Sequence, residues 1–180
     1  MANKLTAAII FLVLALSVSG CTFVKNDKDI TKEQTMKLVS KNFNEGEAFP
    51  EKFTCDGEKT APNLSWSDFP AETKSFALIM EDPDAPSGTF VHWLMINIPA
   101  AISELPEGIT SLAEATMIKN SSGQSDYVPP CPPTGAHRYI FKIFALKTEE
   151  LDGVKINNFF DTIKPYIIDQ ATLGGKYGRN

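Results

Sequence analysis

The chain is predicted to be mainly β and rich in loops, built like a sandwich. Three observations predict this: three apolar runs with a period of two, prolines gathered between them, and enough length for one core but not for two comfortable domains. The runs are Ser75 to Glu81, Phe90 to Ile98 and Arg138 to Leu146, each of strand length and rich in aromatic and branched residues. All twelve prolines, Pro62, Pro70, Pro83, Pro86, Pro129, Pro130, Pro132 and Pro133 among them, fall outside those runs, where a residue without a backbone N–H does least harm.

In chain order, residues 1–20 read as an export signal. One cation, Lys4, precedes an apolar run from Leu5 to Leu16, and Ser17-Val18-Ser19-Gly20 supplies small residues before Cys21. The run is shorter than the roughly 20 residues that span hydrocarbon. Val18-Ser19-Gly20-Cys21 resembles a bacterial lipobox, which implies cleavage before Cys21 and acylation of that cysteine. Each buried methylene of the added chains contributes about 0.8 kcal/mol of membrane affinity. An uncleaved anchor and an ordinary secretion signal are the alternatives. Thr22, in place of an aspartate after the lipidated cysteine, implies the outer membrane by resemblance to enteric sorting.

Losing Lys4 with the signal moves the formal charge from −5 to −6. A mildly acidic surface argues against nucleic acid as a partner and gives no general attraction for anionic lipid, so affinity for an anion requires a local array of donors. Of the three cysteines, Cys55 and Cys131 remain once Cys21 is acylated. An even pair outside the cytoplasm allows a disulfide, with two free, partly buried thiols as the alternative.

Residues 21–34 are too polar to pack a core and read as a tether, leaving 35–180 as the folded domain. Met36 to Ser40 and Ala115 to Ile118 are short strand candidates. In the second long run, Phe90, Leu94, Ile96 and Ile98 share one face and Val91, Trp93 and Met95 the other. Both faces are apolar, the mark of a central strand covered on both sides. The third run sets Tyr139, Phe141 and Ile143 against Ile140, Phe144 and Leu146. From Ile156 through Phe159, Phe160, Ile163 and Tyr166 to Ile167 the spacing is near-helical, with Asn157 as candidate N-cap. One or two short helices should end around Pro165 to Gln170, and Gly174, Gly175 and Gly178 should break the pattern before a mobile tail.

Three places hold residues suited to chemistry. Asp82-Pro83-Asp84-Ala85-Pro86 follows a buried strand, and its two prolines hold both carboxylates on a stiff turn. The only two histidines, His92 and His137, each stand near the start of a long strand. Strand starts cluster only if the strands point the same way, so a shared site predicts that these two run parallel, as neighbours or with another strand between them. The segment from Tyr127 to Ala136 makes a proline wall, with Gly135 permitting a turn that side chains forbid. Prolines and a tyrosine facing two imidazoles describe a small pocket with a polar floor and apolar sides.

These motifs, in this order, resemble the phosphatidylethanolamine-binding protein family. They are Asp82-Pro83-Asp84-Ala85-Pro86, His92-Trp93, and Pro132-Pro133 with Gly135-Ala136-His137-Arg138-Tyr139. Phe53-Thr54-Cys55-Asp56-Gly57, Leu64-Ser65-Trp66, Tyr127 and Pro130-Cys131-Pro132-Pro133 are similar to its bacterial, Raf-kinase-inhibitor-like branch. The resemblance implies a large, central, antiparallel-dominated sheet packed on a smaller one, with short helices at the edges and at the C-terminus. It places an anion pocket on Asp82, Asp84, His92, Pro133, His137 and Tyr139, with Tyr127 at the rim. Phosphate, phosphorylated headgroups and small carboxylates are the ligands it implies. Val128 and Pro129 stand where that branch has two glycines, and Ala61 where it has a serine, which bears on pocket shape more than on pocket location.

The expected mechanism has His92 and His137 donating to an oxyanion while Asp82 or Asp84 accepts from the second nitrogen of an imidazole. The expected role is a ligand-binding protein of the cell envelope, with a protein partner as a further expectation. An inhibitor of a protease or kinase-like partner is one alternative and a hydrolase using the Asp/His cluster another. No Gly-x-Ser-x-Gly elbow, His-Glu-x-x-His helix or Cys-x-x-Cys pair occurs in the sequence, and neither a metal nor a cofactor is expected.

Overall fold

The computed structural model describes residues 35–179. The export signal, Cys21 and the tether lie outside those residues. Among the described residues no helix is long and apolar enough to cross a membrane.

Among the described residues eight strands form two antiparallel sheets. The smaller has the order β1 (Lys37–Val39), β2 (Leu64–Ser67), β5 (Glu104–Leu105). The larger runs β6 (Thr116–Met117), β4 (Phe90–Pro99), β3 (Ser75–Asp82), β7 (Gly135–Leu146), β8 (Ile167–Arg179). Every residue of β3 is buried, because strands flank it and side chains cover both its faces, and this is why it reads as a continuous apolar run.

The main core lies between the sheets. Leu38, Leu64 and Trp66 of the small sheet meet Phe76, Leu78, Trp93, Met95, Tyr139, Phe141 and Ile143 of the large one. On the outer face Ala77, Ile79, Leu94, Ile96, Phe144 and Leu146 are closed over by Phe159 and Ile163, from the five-residue helix α1 (Phe159–Ile163). Each of these large side chains stabilises the fold by about 1.5 to 3 kcal/mol on burial.

The expected alternation along β4 fails at both ends. Val91 belongs to the outer face with Leu94 and Ile96, and Ile98 belongs to the inner one with Trp93 and Met95. The register explains both exchanges. Between Met80↔Trp93 and Glu81↔Val91, and between Phe76↔Ile98 and Leu78↔Met95, β4 carries one residue more than β3. Each bulge reverses the parity of the strand residues beyond it. The second contains Asn97 at φ 57°, and its side chain is bonded to both the backbone N–H and the carbonyl of Leu151.

The C-terminal segment corrects a second expectation. It is not a mobile tail: β8 pairs with β7 from Leu146↔Ile167 to Gly135↔Arg179. The glycines are points of close approach and not breakers. A Cβ on Gly175 would stand 3.2 Å from the Phe49 ring, and one on Gly178 would stand 3.0 Å from Ala136. The free edge of β8 is covered by the segment around Ala48, through Phe49 N–H to Lys176 O at 2.7 Å and Lys176 N–H to Glu47 O at 2.9 Å.

The helix is shorter than its spacing suggests. A 3-10 turn, Lys164–Tyr166, follows α1 and leads directly into β8. Asn158, and not Asn157, occupies the N-cap position. Its side-chain oxygen accepts from the Lys155 N–H at 2.7 Å, so it bonds backward into the loop and leaves the helix amides alone.

Candidate functional site

β4 and β7 are each antiparallel to β3 and flank it, so they run parallel to one another, as a shared site requires. His92 and His137 are the third residues of those strands, and Asp82 closes β3 at the same end. The bulge at the start of β4 is what aims His92. His92 is the extra residue opposite β3, and it meets Tyr139 on the inner face at 5.3 Å between ring centroids while the next residue, Trp93, keeps its place in the inner core. A regular strand would send one of the two outward.

Asp82 is 4% exposed and has both oxygens engaged. Oδ1 accepts the Asp84 N–H at 2.9 Å, and Oδ2 accepts from His137 Nδ1 at 2.7 Å. The carboxylate thus fixes both the turn and the orientation of the His137 ring. Asp84 turns the other way. It accepts from Arg138 N–H at 2.9 Å, Nε at 2.8 Å and Nη2 at 2.7 Å, and these bonds hold its carboxyl well below the usual carboxylate range. Asp84 is a clamp between the turn and β7, and it does not line the cavity.

The second nitrogen of His92 finds a backbone partner instead of a carboxylate. Nδ1 lies 2.8 Å from Val128 O, and the Val128 N–H donates to His92 O at 3.0 Å. A carbonyl only accepts, so Nδ1 carries the hydrogen. Burial pushes His92 below the ordinary histidine value, against the smaller upward pulls of the Val128 carbonyl and the Asp82 charge. Burial thus favours the neutral ring with its hydrogen on Nδ1, whose Nε2 accepts rather than donates. Its Nε2 and the Tyr139 hydroxyl are buried without a hydrogen-bond partner among the described residues. Burial also holds the Tyr139 phenol well above the ordinary tyrosine value, so it keeps its proton.

These groups form the floor of a cavity of about 190 Å³. Ala85, Pro86, Phe90, Val128, Pro129, Cys131, Pro132 and Pro133 make the walls. The volume is below the roughly 300 Å³ at which pockets for drug-sized ligands begin, and suits a small oxyanion or a headgroup more than a whole lipid. Of the expected residues, the structure brings Asp82, His92, Pro133, His137 and Tyr139 together here and leaves out Asp84 and Tyr127. The Tyr127 ring packs edge-on against Trp93 at 5.8 Å, and its hydroxyl donates to Phe53 O at 2.8 Å. It anchors the rim loop from behind. A disulfide between Cys55 and Cys131 and a bond from Cys55 N–H to Pro130 O at 3.0 Å hold the same loop.

Phe90 and the Val128 carbonyl, which touch the His92 ring, lie outside the expected set. Phe90 lies 4.7 Å from the His92 ring, and its position two residues earlier on the same strand was a legible signal. The Val128 carbonyl acts through backbone, which residue identity does not announce. Among the described residues no group of three or more histidine, cysteine or acidic side chains is placed to hold a metal ion.

A family model described as phosphatidylethanolamine-binding protein matches residues 39–178. The chain is 42% identical over 153 residues to a UPF0098 protein of Aquifex aeolicus, covering 81% of this chain and 90% of that one. It is 38% identical over 150 residues to a UPF0098 protein of Methanothermobacter thermautotrophicus, covering 80% and 99%. Among solved structures, a phosphatidylethanolamine-binding protein homologue from Chlamydia trachomatis matches with a TM-score of 0.76 at 37% identity, over 82% of this chain and 99% of that one. E. coli YbcL, described as a member of the mammalian family, matches with a TM-score of 0.75 at 30% identity, over 81% and 99%.

Proposed function

The chain belongs to the phosphatidylethanolamine-binding protein family, and from that premise we propose that it is a ligand-binding protein of the cell envelope whose cavity takes small oxyanions, phosphorylated headgroups among them. The observation that carries this reading is the convergence of the Asp82–His137 pair, His92 and Tyr139 on one small cavity, with two buried polar atoms there free to bond. His137 Nε2, the nitrogen that Asp82 leaves unused, and the Tyr139 hydroxyl are the groups that meet a bound anion. Charge-assisted hydrogen bonds contribute about 1.5 to 3 kcal/mol each, so a few of them give weak, roughly millimolar binding. Tighter binding would draw on the apolar walls.

Binding is preferred to turnover because the thiol at the cavity, Cys131, is tied up in the disulfide. The envelope location rests on the lipobox-like Val18-Ser19-Gly20-Cys21, and a disulfide is in keeping with an oxidising compartment. Calorimetric titration with inorganic phosphate and phosphoethanolamine tests the reading. Saturable binding by the wild type that is lost in His137→Ala, with the fold retained by circular dichroism, supports it. Equal binding by both proteins overturns it.

A further inference from the structure

We propose that the cavity selects oxyanions that carry a hydrogen, such as phosphate or a phosphomonoester with a P–OH, over oxyanions that carry none, such as sulfate. The proposal rests on the site reading above and adds to it a rule for ligand choice.

The protein itself sets the hydrogens at the cavity floor. Because Val128 O lies 2.8 Å from His92 Nδ1 and can only accept, the neutral ring is left with a lone pair at Nε2. That atom is buried and has no partner among the described residues. His137 directs Nδ1 to Asp82 at 2.7 Å, so its Nε2 is the atom left for a ligand. Tyr139 brings a hydroxyl that donates or accepts. The floor therefore asks a ligand to meet His137 Nε2, to accept from Tyr139 and to donate to His92.

The charges facing the cavity point the same way. The Asp82 carboxylate stands 2.7 Å from His137 Nδ1, and the neighbouring guanidinium, Arg138, is held on Asp84 outside the lining. Nothing in the lining offers excess positive charge to a fully ionised dianion. An oxygen without hydrogen set against His92 Nε2 would oppose two lone pairs in a buried place, whereas a P–OH turns that contact into a hydrogen bond. The alternative, protonating His92, works against the burial that holds the ring neutral.

The test uses the purified full-length protein and titrates inorganic phosphate and sulfate separately, at neutral pH and matched ionic strength. Phosphate is expected to bind about tenfold or more tightly than sulfate. In His92→Asn the amide N–H still reaches Val128 O but the Nε2 acceptor is gone, so the preference should fall toward one. If that variant does not fold, nitrogen-15 spectra of the wild-type imidazoles decide: in the phosphate complex His92 should show hydrogen on Nδ1 alone. Equal affinity for the two anions, or a His92 protonated on both nitrogens in the complex, overturns the selectivity rule and leaves the site reading standing. Binding of neither anion overturns the site reading itself.

Discussion

His92 and His137 stand third in two parallel strands separated by β3, and this places both imidazoles over one cavity although they lie far apart along the chain. The two rings are not equivalent. One is locked to a carbonyl and neutral, the other to a carboxylate.

Asp82→Ala should loosen the site and the fold together. The substitution leaves the His137 Nδ1–H and the Asp84 N–H without their acceptor in a buried place, which costs about 1 to 3 kcal/mol. Urea unfolding should show that loss, and phosphate titration should show weaker binding. A variant as stable as the wild type would mean that the pair does not hold the turn.

Stability should fall as the medium is acidified through the histidine range. The His92 ring has a lowered proton affinity in the fold because it is buried, while in the unfolded chain it takes up a proton at about pH 6.5. Below that value the unfolded state binds more protons, so stability declines as pH drops from about 6.5 toward the folded value. Urea midpoints measured from pH 8 to 5 should show the decline, and His92→Asn should remove that part of it. Parallel curves for the two proteins would contradict the assignment.

Breaking the Cys55–Cys131 bond should cost both stability and affinity. The bond closes a loop with a sequence separation of 76, for which chain entropy alone gives about 4 kcal/mol. Cys131 also lines the cavity, so freeing it relaxes the rim. The double serine variant should unfold at lower urea and bind phosphate more weakly; unchanged binding would show that the walls keep their shape without the bond.

Cys21→Ala tests the membrane attachment. With the thiol acylated, the wild type should sediment with membranes and the variant should appear in the soluble fraction of the same cells. Equal partitioning would remove the case for a lipid anchor.

Much of the fold is legible because interior strands must be apolar on both sides. β3, β4 and β7 therefore stand out as runs, and the parallel relation of β4 to β7 follows from asking where the two histidines must meet. Bulges are invisible to period-two reading, and this misplaced Val91 and Ile98. β8 was hidden because Gly175 and Gly178 look like breakers, whereas their missing side chains make room for Phe49 and Ala136. β2 and β5, at four residues and two, are too short to show a period. In the site, Asp82, His92 and His137 were legible because polar groups at the ends of apolar strands are conspicuous. Asp84 and Tyr127 have the same chemical character as true lining residues but are satisfied elsewhere, by Arg138 and by Phe53 O. Only packing reveals that.

Titrating nitrogen-15-labelled protein with inorganic phosphate while following the ring signals of both His92 and His137 tests the central claim most directly. The account predicts that the two rings respond together along one saturable curve in the millimolar range, on the order of 1 mM. Silence from both rings up to roughly 100 mM phosphate, or a response from one ring alone, would contradict a shared oxyanion site.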